Sequence, residues 1–433
     1  MAQLLPFRGF RYQGDIVGEI TDVVAPPYDR IYPDVQKACY ARSPFNIVRI
    51  TKGFTEEGDD ESRNVYTRAA ETLHAWIAEG VLVRDDRPAL YAYHQTYSFG
   101  GSRLTRKGII GLGKLEPEKV HAHERTLKGP REDRLKLIRA TEANFGHIFM
   151  LYSDPERSAD KRIAAAIAGR TPDIEAEDAD GNLHQVWAIT EDATIRNVQA
   201  ALSDKDLYIA DGHHRYETAV NYMRECENAG WRPAAAESFD ARMMTLFNVD
   251  EPGTSIRPIH RMVHGIAGFD SDALLANAQE RFEVERVDGF DAMADAVEVG
   301  GKHTFGFVAQ DVHAVLRLKD GQDLHQLVSS DRSEDFVNLD VAVLHAGILE
   351  SLLGIDARAL EEQTYVTYTV DAKKGAEAVA AGDEQALFYL NPTAADEVIR
   401  VADQGEKMPQ KSTDFYPKLL TGLVLTTMEI DKT

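Results

Sequence analysis

The alternation of apolar and polar positions predicts short strands separated by helices along most of the chain. Residues 207–210 (LYIA) form an apolar run typical of a buried strand, and the polar stretch DGHHR follows it directly. Beyond it, Tyr216, Ala219, Val220 and Met223 recur at the spacing of one helix face. The polar cluster is therefore predicted to lie at a turn from a strand into a helix.

The same patterns predict the elements on either side of this turn. A helix is expected near residues 62–79, and a hairpin is expected from ALYAYHQTYSF through a Gly-Gly turn to KGIIGLGKLE. Later, HTFGFV and HAVLRL predict a second hairpin, and LDVAVLHAGILESLLG predicts a helix. Hairpins mixed with alternating helices and strands favour an α+β architecture, which is α/β in part. A chain of 433 residues exceeds one ordinary core, so three domains are predicted, at 1–150, 151–265 and 266–433.

The charge balance narrows the classes of partner. Asp and Glu number 71 against 48 Lys and Arg, which gives a net charge of −23 and disfavours nonspecific binding to nucleic acid or to an anionic membrane. No apolar run approaches the roughly 18 residues of a membrane span, and the N-terminus lacks the pattern of a secretion signal. Two cysteines without a disulfide pattern fit a reducing compartment. The chain is predicted to be cytoplasmic, with neither nucleic acid nor membrane as a partner.

The composition of the DGHHR stretch favours an anion site. The first N–H groups of a helix lack partners and carry the positive end of its dipole, and Gly212 allows a tight turn beside them. Arg215 presents a planar fork of donors, and His213 and His214 add ring N–H groups. Asp211 would repel an anion unless it holds a metal ion or acts as a base on an incoming hydroxyl. These residues predict a site for a phosphorylated ligand with Mg²⁺, and a plain structural turn is the alternative.

Two further loops carry candidate binding groups. One precedes a Gly-Pro turn in HAHERTLKGPRED, on the kind of loop where binding residues often lie. The other, GEKMPQKSTDFYPKLLTGL, places three lysines in an otherwise acidic chain. A solvated charged surface and a proline-bounded turn are the respective alternatives. The candidate groups are His123, Glu124 and Arg125 in the first loop and Lys411, Ser412 and Thr413 in the second.

Six stretches together resemble the prokaryotic family of unknown function DUF 1015. They are VVAPPYDRI, SPFNIVRI, HERTLKGPREDRLKLIRATEANFGHIFMLY, IADGHHRYETA, ALFYLNPT and MPQKSTDFYPKLLTGL. The resemblance extends from Pro26 to Gly422. It implies no particular reaction.

A more distant resemblance does imply chemistry. IADGHHRYETA is similar to the Gly-x-x-Arg box of the ParB and sulfiredoxin superfamily, in which a strand, a loop and a helix N-terminus hold nucleotide phosphates. This resemblance implies a ParB/sulfiredoxin-like nucleotide-binding core with additional α/β elements. Sulfiredoxin needs a cysteine where this box has histidine, and the DNA-binding helix-turn-helix of ParB is not found in this acidic sequence. With these two members set aside, the sequence is most similar to the free serine kinases of the superfamily, whose box also contains an Asp-Gly-His-His-Arg type sequence.

The resemblance to the free serine kinases implies phosphoryl transfer between ATP or ADP and a small hydroxyl compound, with free serine and O-phosphoserine as the substrate pair. Two alternatives stay open: a nucleotide-responsive binding or regulatory protein without turnover, and a metal-dependent phosphohydrolase. The sequence does not set the oligomeric state. The implied catalytic residues are Asp211, Glu124 and His213, with Mg²⁺ at Asp211, and the implied phosphate or nucleotide contacts are Gly212, His214, Arg215, His123, Arg125, Lys411, Ser412 and Thr413.

Overall fold

A computed structural model describes residues 3–122 and 128–433 and divides the chain into two compact units. The first unit contains Met1–Ser255 together with Pro417–Thr433, and the second contains Ile256–Tyr416. This division differs from the three predicted regions, because 1–150 and 151–265 contribute strands to one sheet and the C-terminal residues return to the same unit.

A nine-stranded mixed sheet forms the centre of the first unit. Its strands are β1 (Leu4–Leu5), β2 (Leu90–Phe99), β3 (Ser102–Lys114), β4 (Val120–Ala122), β5 (Ile148–Tyr152), β6 (Ile174–Glu177), β7 (Leu183–Ile189), β8 (Leu207–Asp211) and β9 (Ala241–Asn248). The order across the sheet is β4-β8-β5-β9-β3-β2-β7-β6, with β1 paired to β3. Strand β8 runs parallel to β4 and antiparallel to β5, whereas β5 and β9 are parallel. Strands distant in sequence are thus neighbours, so no single position in the sequence divides this sheet into two separate domains.

The hairpin predicted around the Gly-Gly turn is confirmed as β2 and β3. Phe99 pairs with Ser102 across a turn in which Gly100 and Gly101 have φ values of 55° and 75°. This left-handed backbone is the conformation that glycine adopts without a steric penalty.

The helices of the first unit join two apolar clusters, one with the nine-stranded sheet and one without strands of that sheet. The helices of eight residues or more are α1 (Pro33–Arg42), α2 (Val65–Ala78), α3 (Lys128–Thr141), α4 (Ser158–Ile167), α5 (Asp192–Leu202) and α6 (His213–Asn228). The predicted helix at 62–79 is confirmed as α2, and it begins after Asn64 because the Asn64 side chain accepts hydrogen bonds from the first turn. Ile163, Val198 and Val220 of α4, α5 and α6 join one apolar cluster with the sheet strands, which buries that face from water.

The second unit is built on a six-stranded antiparallel sheet. Its strands are β10 (His260–Val263), β11 (Phe282–Arg286), β12 (Thr304–Ala309), β13 (Val312–Leu318), β14 (Val366–Thr369) and β15 (Ala386–Tyr389), in the order β11-β13-β12-β15-β10-β14. Its longer helices are α7 (Ser271–Ala278), α8 (Gly289–Gly300), α9 (Ala372–Ala381) and α10 (Ala395–Asp403). The second predicted hairpin is β12 and β13, and the predicted helix LDVAVLHAGILESLLG forms with a π-helical turn at His345–Glu350.

The predicted α+β class is confirmed, since both units combine sheets that contain hairpins with flanking helices. Within residues 3–122 and 128–433, no helix combines the length and the apolar character needed to cross a membrane.

Candidate functional site

The DGHHR box lies at the predicted junction of strand and helix in the first unit. Strand β8 ends at Asp211 and α6 begins at His213, with Gly212 between them at φ 99°. A β-carbon on Gly212 would lie 3.1 Å from the guanidinium of Arg215, so the position favours glycine for space as well as for backbone conformation. Gly212 offers no side-chain cap to α6, which leaves the start of this helix suited to an anion.

Asp211 is the centre of an ion-pair network inside the first unit. Its Oδ2 lies 2.6 Å from Nζ of Lys418, and its Oδ1 lies 3.2 Å from Nη2 of Arg215. All three side chains are largely buried, with 18% of Asp211, 17% of Lys418 and 8% of Arg215 exposed. Burial raises the pKa of Asp211, but the charges of Lys418 and Arg215 outweigh it and hold that pKa well below its usual range. Asp211 is therefore a permanent carboxylate that orients two cations.

The backbone at Lys418 is fixed by two polar side chains of the central sheet. Arg106 of β3 donates a hydrogen bond to the carbonyl of Pro417 (2.5 Å), and Gln95 of β2 donates to the carbonyl of Lys418 (3.0 Å). Arg106 is itself fully buried, with its guanidinium carbon 4.5 Å from the ring centroid of Phe149. Because rigid strands hold this backbone, the Lys418 ammonium is presented to Asp211 in a defined position.

Arg215 also links the box to the other motifs. One of its Nη atoms donates to the carbonyl of His147. Burial raises the pKa of Tyr28 to about 12, and the positive charge of Arg215 opposes this rise. The guanidinium carbon of Arg134 lies 4.4 Å from the centre of the Tyr28 ring, and Arg134 donates to the carbonyl of Thr51 (2.9 Å). Residues from the stretches VVAPPYDRI, GPREDRL and IADGHHRYETA therefore meet around one arginine-rich region.

A cavity of about 40 Å³ opens beside this region, which is about three times the roughly 10–15 Å³ that one water molecule needs. Arg134, Arg215 and Arg242 all reach its wall. Arg242 lies on β9 with 8% of its surface exposed, and its Nε and Nη1 have no hydrogen-bond partner among the described residues. The remaining lining residues are Tyr28, Thr51, Leu137, Ile138, Ala143, Phe145, Gly146, Thr218 and Thr421.

The structure brings together only part of the predicted site. Asp211, Gly212, His213, His214 and Arg215 share one turn of chain, where His213 is buried and His214 is half-buried. Three predicted residues, His123, Glu124 and Arg125, lie outside the described residues, so their roles stay predictions.

The predicted lysine loop is divided between the two units after Tyr416. Lys411, Ser412 and Thr413 belong to the second unit, where Arg261 donates to the carbonyl of Lys411 (3.0 Å) and the Ser412 hydroxyl donates to the carbonyl of Pro409 (2.5 Å). These contacts shape the loop, and a phosphate-binding role for the three residues stays a prediction.

Sequence reasoning missed three contributors to the site: Lys418, Arg134 and Arg242. Lys418 was visible only as one of three loop lysines, and Arg134 only as one of several charged residues in the stretch HERTLKGPREDRLKLIR. For Arg242 a signal was present, because this arginine is the one charged residue of the strand sequence ARMMTLFN, where a charge is costly unless it has a partner or a ligand.

The fit of Mg²⁺ to Asp211 depends on the partners of its carboxylate. The described residues contain no group of three or more His, Cys, Asp or Glu side chains arranged to hold a metal ion. Mg²⁺ is commonly bound by one or two carboxylates together with substrate phosphates, so Asp211 has the right ligand chemistry. A metal ion there would have to share the carboxylate with Lys418 and Arg215.

Acid is expected to destabilise the fold through His147, which lies next to this site. Burial, assisted by Arg215 and Arg242, lowers the pKa of His147 to about 3, whereas an unfolded histidine titrates near 6.5. Between these pH values the unfolded state binds a proton that the folded state does not. The free energy of unfolding should therefore fall as the pH drops, by up to about 1.4 kcal/mol per pH unit from this residue.

Urea unfolding of His147→Asn from about pH 7 to about pH 4.5 tests this effect. The amide can keep the hydrogen bond that joins Nδ1 of His147 to the Thr245 hydroxyl (2.7 Å) but does not titrate. A shallower pH dependence than that of the wild type is expected, and His74→Asn, at an exposed position, serves as the control. Equal slopes for the wild type and His147→Asn would contradict the assignment.

Several solved structures resemble this chain loosely. They include a conserved hypothetical protein from Pyrococcus furiosus, with 11% identity over 72% of this chain and 92% of that one and a TM-score of 0.33. A free serine kinase in complex with AMP has 12% identity over 71% of this chain and 86% of its own, with a TM-score of 0.34. SbnI from Staphylococcus aureus, with a C-terminal truncation, has 10% identity over 72% and 85% of the two chains and a TM-score of 0.35. The likeness is too loose to transfer an activity.

No curated protein matches the sequence of this chain. The model of one sequence family matches residues 4–342, which is most of the chain and contains the DGHHR box. That family is described as Protein of unknown function (DUF1015), and this chain belongs to it.

Proposed function

We propose that this protein is a nucleotide-dependent phosphotransferase that acts on a small hydroxyl compound, with free serine and O-phosphoserine as the substrate pair and ATP or ADP as the nucleotide. One observation carries the proposal. At the junction of β8 and α6, a helix N-terminus without a side-chain cap adjoins Asp211, which is paired with both Lys418 and Arg215.

This arrangement suits phosphoryl transfer because the reaction depends mainly on positioning and on neutralising negative charge. During transfer, a bond forms between the acceptor oxygen and phosphorus, and the bond from phosphorus to the nucleotide's bridging oxygen breaks. The charge on the phosphoryl oxygens favours nearby N–H groups and cations, which the start of α6, Arg215 and Lys418 supply in a water-poor setting. In the same scheme His213 and His214 add donors from the first turn of α6.

Asp211 acts in this scheme as an orienting group rather than as the proton acceptor. A general base works best when its pKa lies near the working pH, and the pKa of Asp211 is held far below it. Asp211 instead holds Lys418 and Arg215 toward the phosphate, and Mg²⁺, if bound at this carboxylate, would add a further positive charge to the phosphoryl oxygens. We assign the removal of the hydroxyl proton to Glu124, with His123 and Arg125 as further phosphate contacts.

We also propose that Lys411, Ser412 and Thr413 contribute to phosphate binding, as their composition suggests. The buried and unbridged Cys39 and Cys226 fit action in the cytoplasm.

The first experiment incubates the purified protein and Mg²⁺ with ATP or ADP and L-serine, and in reverse with O-phosphoserine, and follows nucleotide and amino acid by mass spectrometry. Formation of phosphoserine or of serine is expected for the wild type. Arg215→Ala should abolish it, because this change removes a phosphate donor and one partner of Asp211. Arg224→Ala, an exposed arginine on the same helix, is the matched control and should retain turnover.

The outcome separates the three candidate functions. Thermal stabilisation by nucleotide without turnover of any hydroxyl substrate would instead favour a nucleotide-responsive binding or regulatory protein. Release of inorganic phosphate without an acceptor, sensitive to a chelator, would favour a metal-dependent phosphohydrolase.

A further inference from the structure

The three arginines around the cavity of the first unit differ in how their charges are balanced. Arg134 pairs with Asp133 (2.6 Å), and Arg215 pairs with Asp211 (3.2 Å). Arg242 forms no ion pair with any residue the structure describes, although it is more than nine-tenths buried. An arginine in such a position is costly to the fold unless something else satisfies its charge.

The neighbours of Arg242 add to this cost. Burial and the charges of Arg215 and Arg134 lower its pKa to about 9. Its strand, β9, is buried at every position and only 8% of Arg242 is exposed, so the guanidinium has little access to bulk solvent. Two of its nitrogens, Nε and Nη1, lack hydrogen-bond partners within the described part of the chain, and so does Nε of Arg215. Two planar donor forks thus border one cavity with unused N–H groups.

We propose that this cavity binds a small oxyanion group of the hydroxyl substrate, a carboxylate or a phosphate, between Arg242 and Arg215. Such a group accepts paired hydrogen bonds from planar guanidinium forks and reduces the repulsion among the three cations. The volume of about 40 Å³ fits a group of this size but not a nucleotide. Among the threonines on the wall, Thr421 offers a hydroxyl as a further hydrogen-bonding group, whereas the hydroxyls of Thr51 and Thr218 already donate to the carbonyls of Ile47 and His214. The apolar side chains of Leu137 and Phe145 lower the polarity of the wall, which strengthens the attraction.

The location of the cavity gives this anion a role in the reaction. Arg215 contacts Asp211 through one nitrogen and borders the cavity, so it connects the phosphate-binding box with the second anion. A hydroxy acid or amino acid held there by its acidic group would have its hydroxyl in reach of the box, whereas a neutral alcohol would lack this contact. The assignment to the substrate rests on the proposed function, but the affinity of the cavity for an anion does not.

Thermal unfolding with increasing sodium phosphate or sodium acetate, compared with sodium chloride at equal ionic strength, tests the site. We expect a saturable rise in Tm with at least one of the two oxyanions, on top of the general stabilisation that phosphate gives to most proteins. A response to acetate would identify a carboxylate site, and a response to phosphate alone would identify a phosphate site. Absence of a saturable rise with both would overturn the proposal.

Variants of Arg242 separate binding from a structural role. Arg242→Met should abolish the saturable rise, and without oxyanion its Tm should equal or exceed that of the wild type, because an unbalanced buried charge has been removed. Arg139→Met, at an exposed position of the same unit, should leave the rise unchanged. A lower Tm for Arg242→Met together with an unchanged saturable rise would show that Arg242 is structural and would overturn the proposal.

A second variant covers the case in which Arg242→Met does not fold. Arg242→Lys keeps the charge but loses the planar fork. It should therefore bind the oxyanion more weakly and raise the concentration that gives half of the Tm increase by about tenfold or more. In the phosphotransferase assay the same variant should raise the KM for serine, with little effect on the KM for the nucleotide. Anion binding without any turnover would leave the cavity assignment standing and refute only the proposed function.

Discussion

Lys418→Met is expected to lower the turnover number of the phosphotransferase reaction by about two to three orders of magnitude, which is the usual effect of removing one donor from a developing negative charge. Nζ of Lys418 lies 2.6 Å from Asp211 and is largely buried, so its charge acts at short range in a poorly solvated site. Methionine has a similar length and an apolar stem, so the change removes the charge without leaving a large gap. Steady-state kinetics with ATP or ADP and serine measures the effect.

Lys407→Met is the matched control, because Lys407 comes from the same proline-bounded stretch but belongs to the second unit and is exposed. Its turnover should equal that of the wild type. Lys411→Met tests the original prediction for the loop, since Lys411 was assigned to phosphate binding and Lys418 was not. If Lys411→Met is impaired and Lys418→Met is fully active, the phosphate-binding lysine is Lys411, and the network around Asp211 is only structural.

The division of this loop shows what the sequence could and could not predict. Strand β8, the turn at Gly212 and helix α6 were predictable, because apolar periodicity and the conformational freedom of glycine are local properties. The partner of Asp211 was not, since Lys418 is separated from it by 207 positions in sequence and is held by Arg106 and Gln95 on other strands. Such pairings depend on sheet order, which places strands distant in sequence side by side.

The cavity lined by Arg134, Arg215 and Arg242 could not be predicted from the sequence for a related reason. Arg134 and Arg242 approach it from a helix and from a strand more than one hundred residues apart. Arg134 is unremarkable in a chain with 48 basic residues, and Arg242, although unusual within its strand, carries no sign in the sequence of the residues it meets. The predicted domain boundaries differ from the compact units for the same reason. Strand β9 lies between β5 and β3, and the C-terminal residues return to the first unit. Sequence patterns report local structure well, and convergence of side chains must be read from the fold.

Asp211→Asn is expected to reduce turnover by two to four orders of magnitude while nucleotide binding persists, with a Kd equal to or lower than that of the wild type. The amide keeps the shape of the side chain but loses the charge that orients Lys418 and Arg215, and positioning groups of this kind typically contribute about 10²–10⁴ in rate. Removing a negative charge beside a phosphate site favours anion binding, so a loss of nucleotide affinity is not expected. Isothermal titration with the nucleotide and the mass-spectrometric assay separate the two effects.

The same variant has a stability signature that depends on pH. The depressed pKa of Asp211 stabilises the folded state above the unfolded carboxyl's pKa of about 4, and this stabilisation is lost as the pH falls toward the folded pKa. At neutral pH, Asp211→Asn should therefore lower the free energy of unfolding by on the order of 3 kcal/mol, because Lys418 and Arg215 lose their counter-charge. The difference from the wild type should begin to shrink below about pH 4. A difference that is constant with pH would show that the ion pairs do not set the pKa of Asp211.

A double variant decides whether Lys418 and Asp211 work as one unit. If Lys418 acts on the phosphate only in the position that Asp211 gives it, Asp211→Asn combined with Lys418→Met should lose little more turnover than either change alone. Additive losses would mean that the two side chains contribute independently, with Asp211 acting through Arg215 or a metal ion. Unchanged turnover in Asp211→Asn would remove Asp211 from the mechanism and leave the helix N-terminus, Arg215 and Lys418 as the phosphate site.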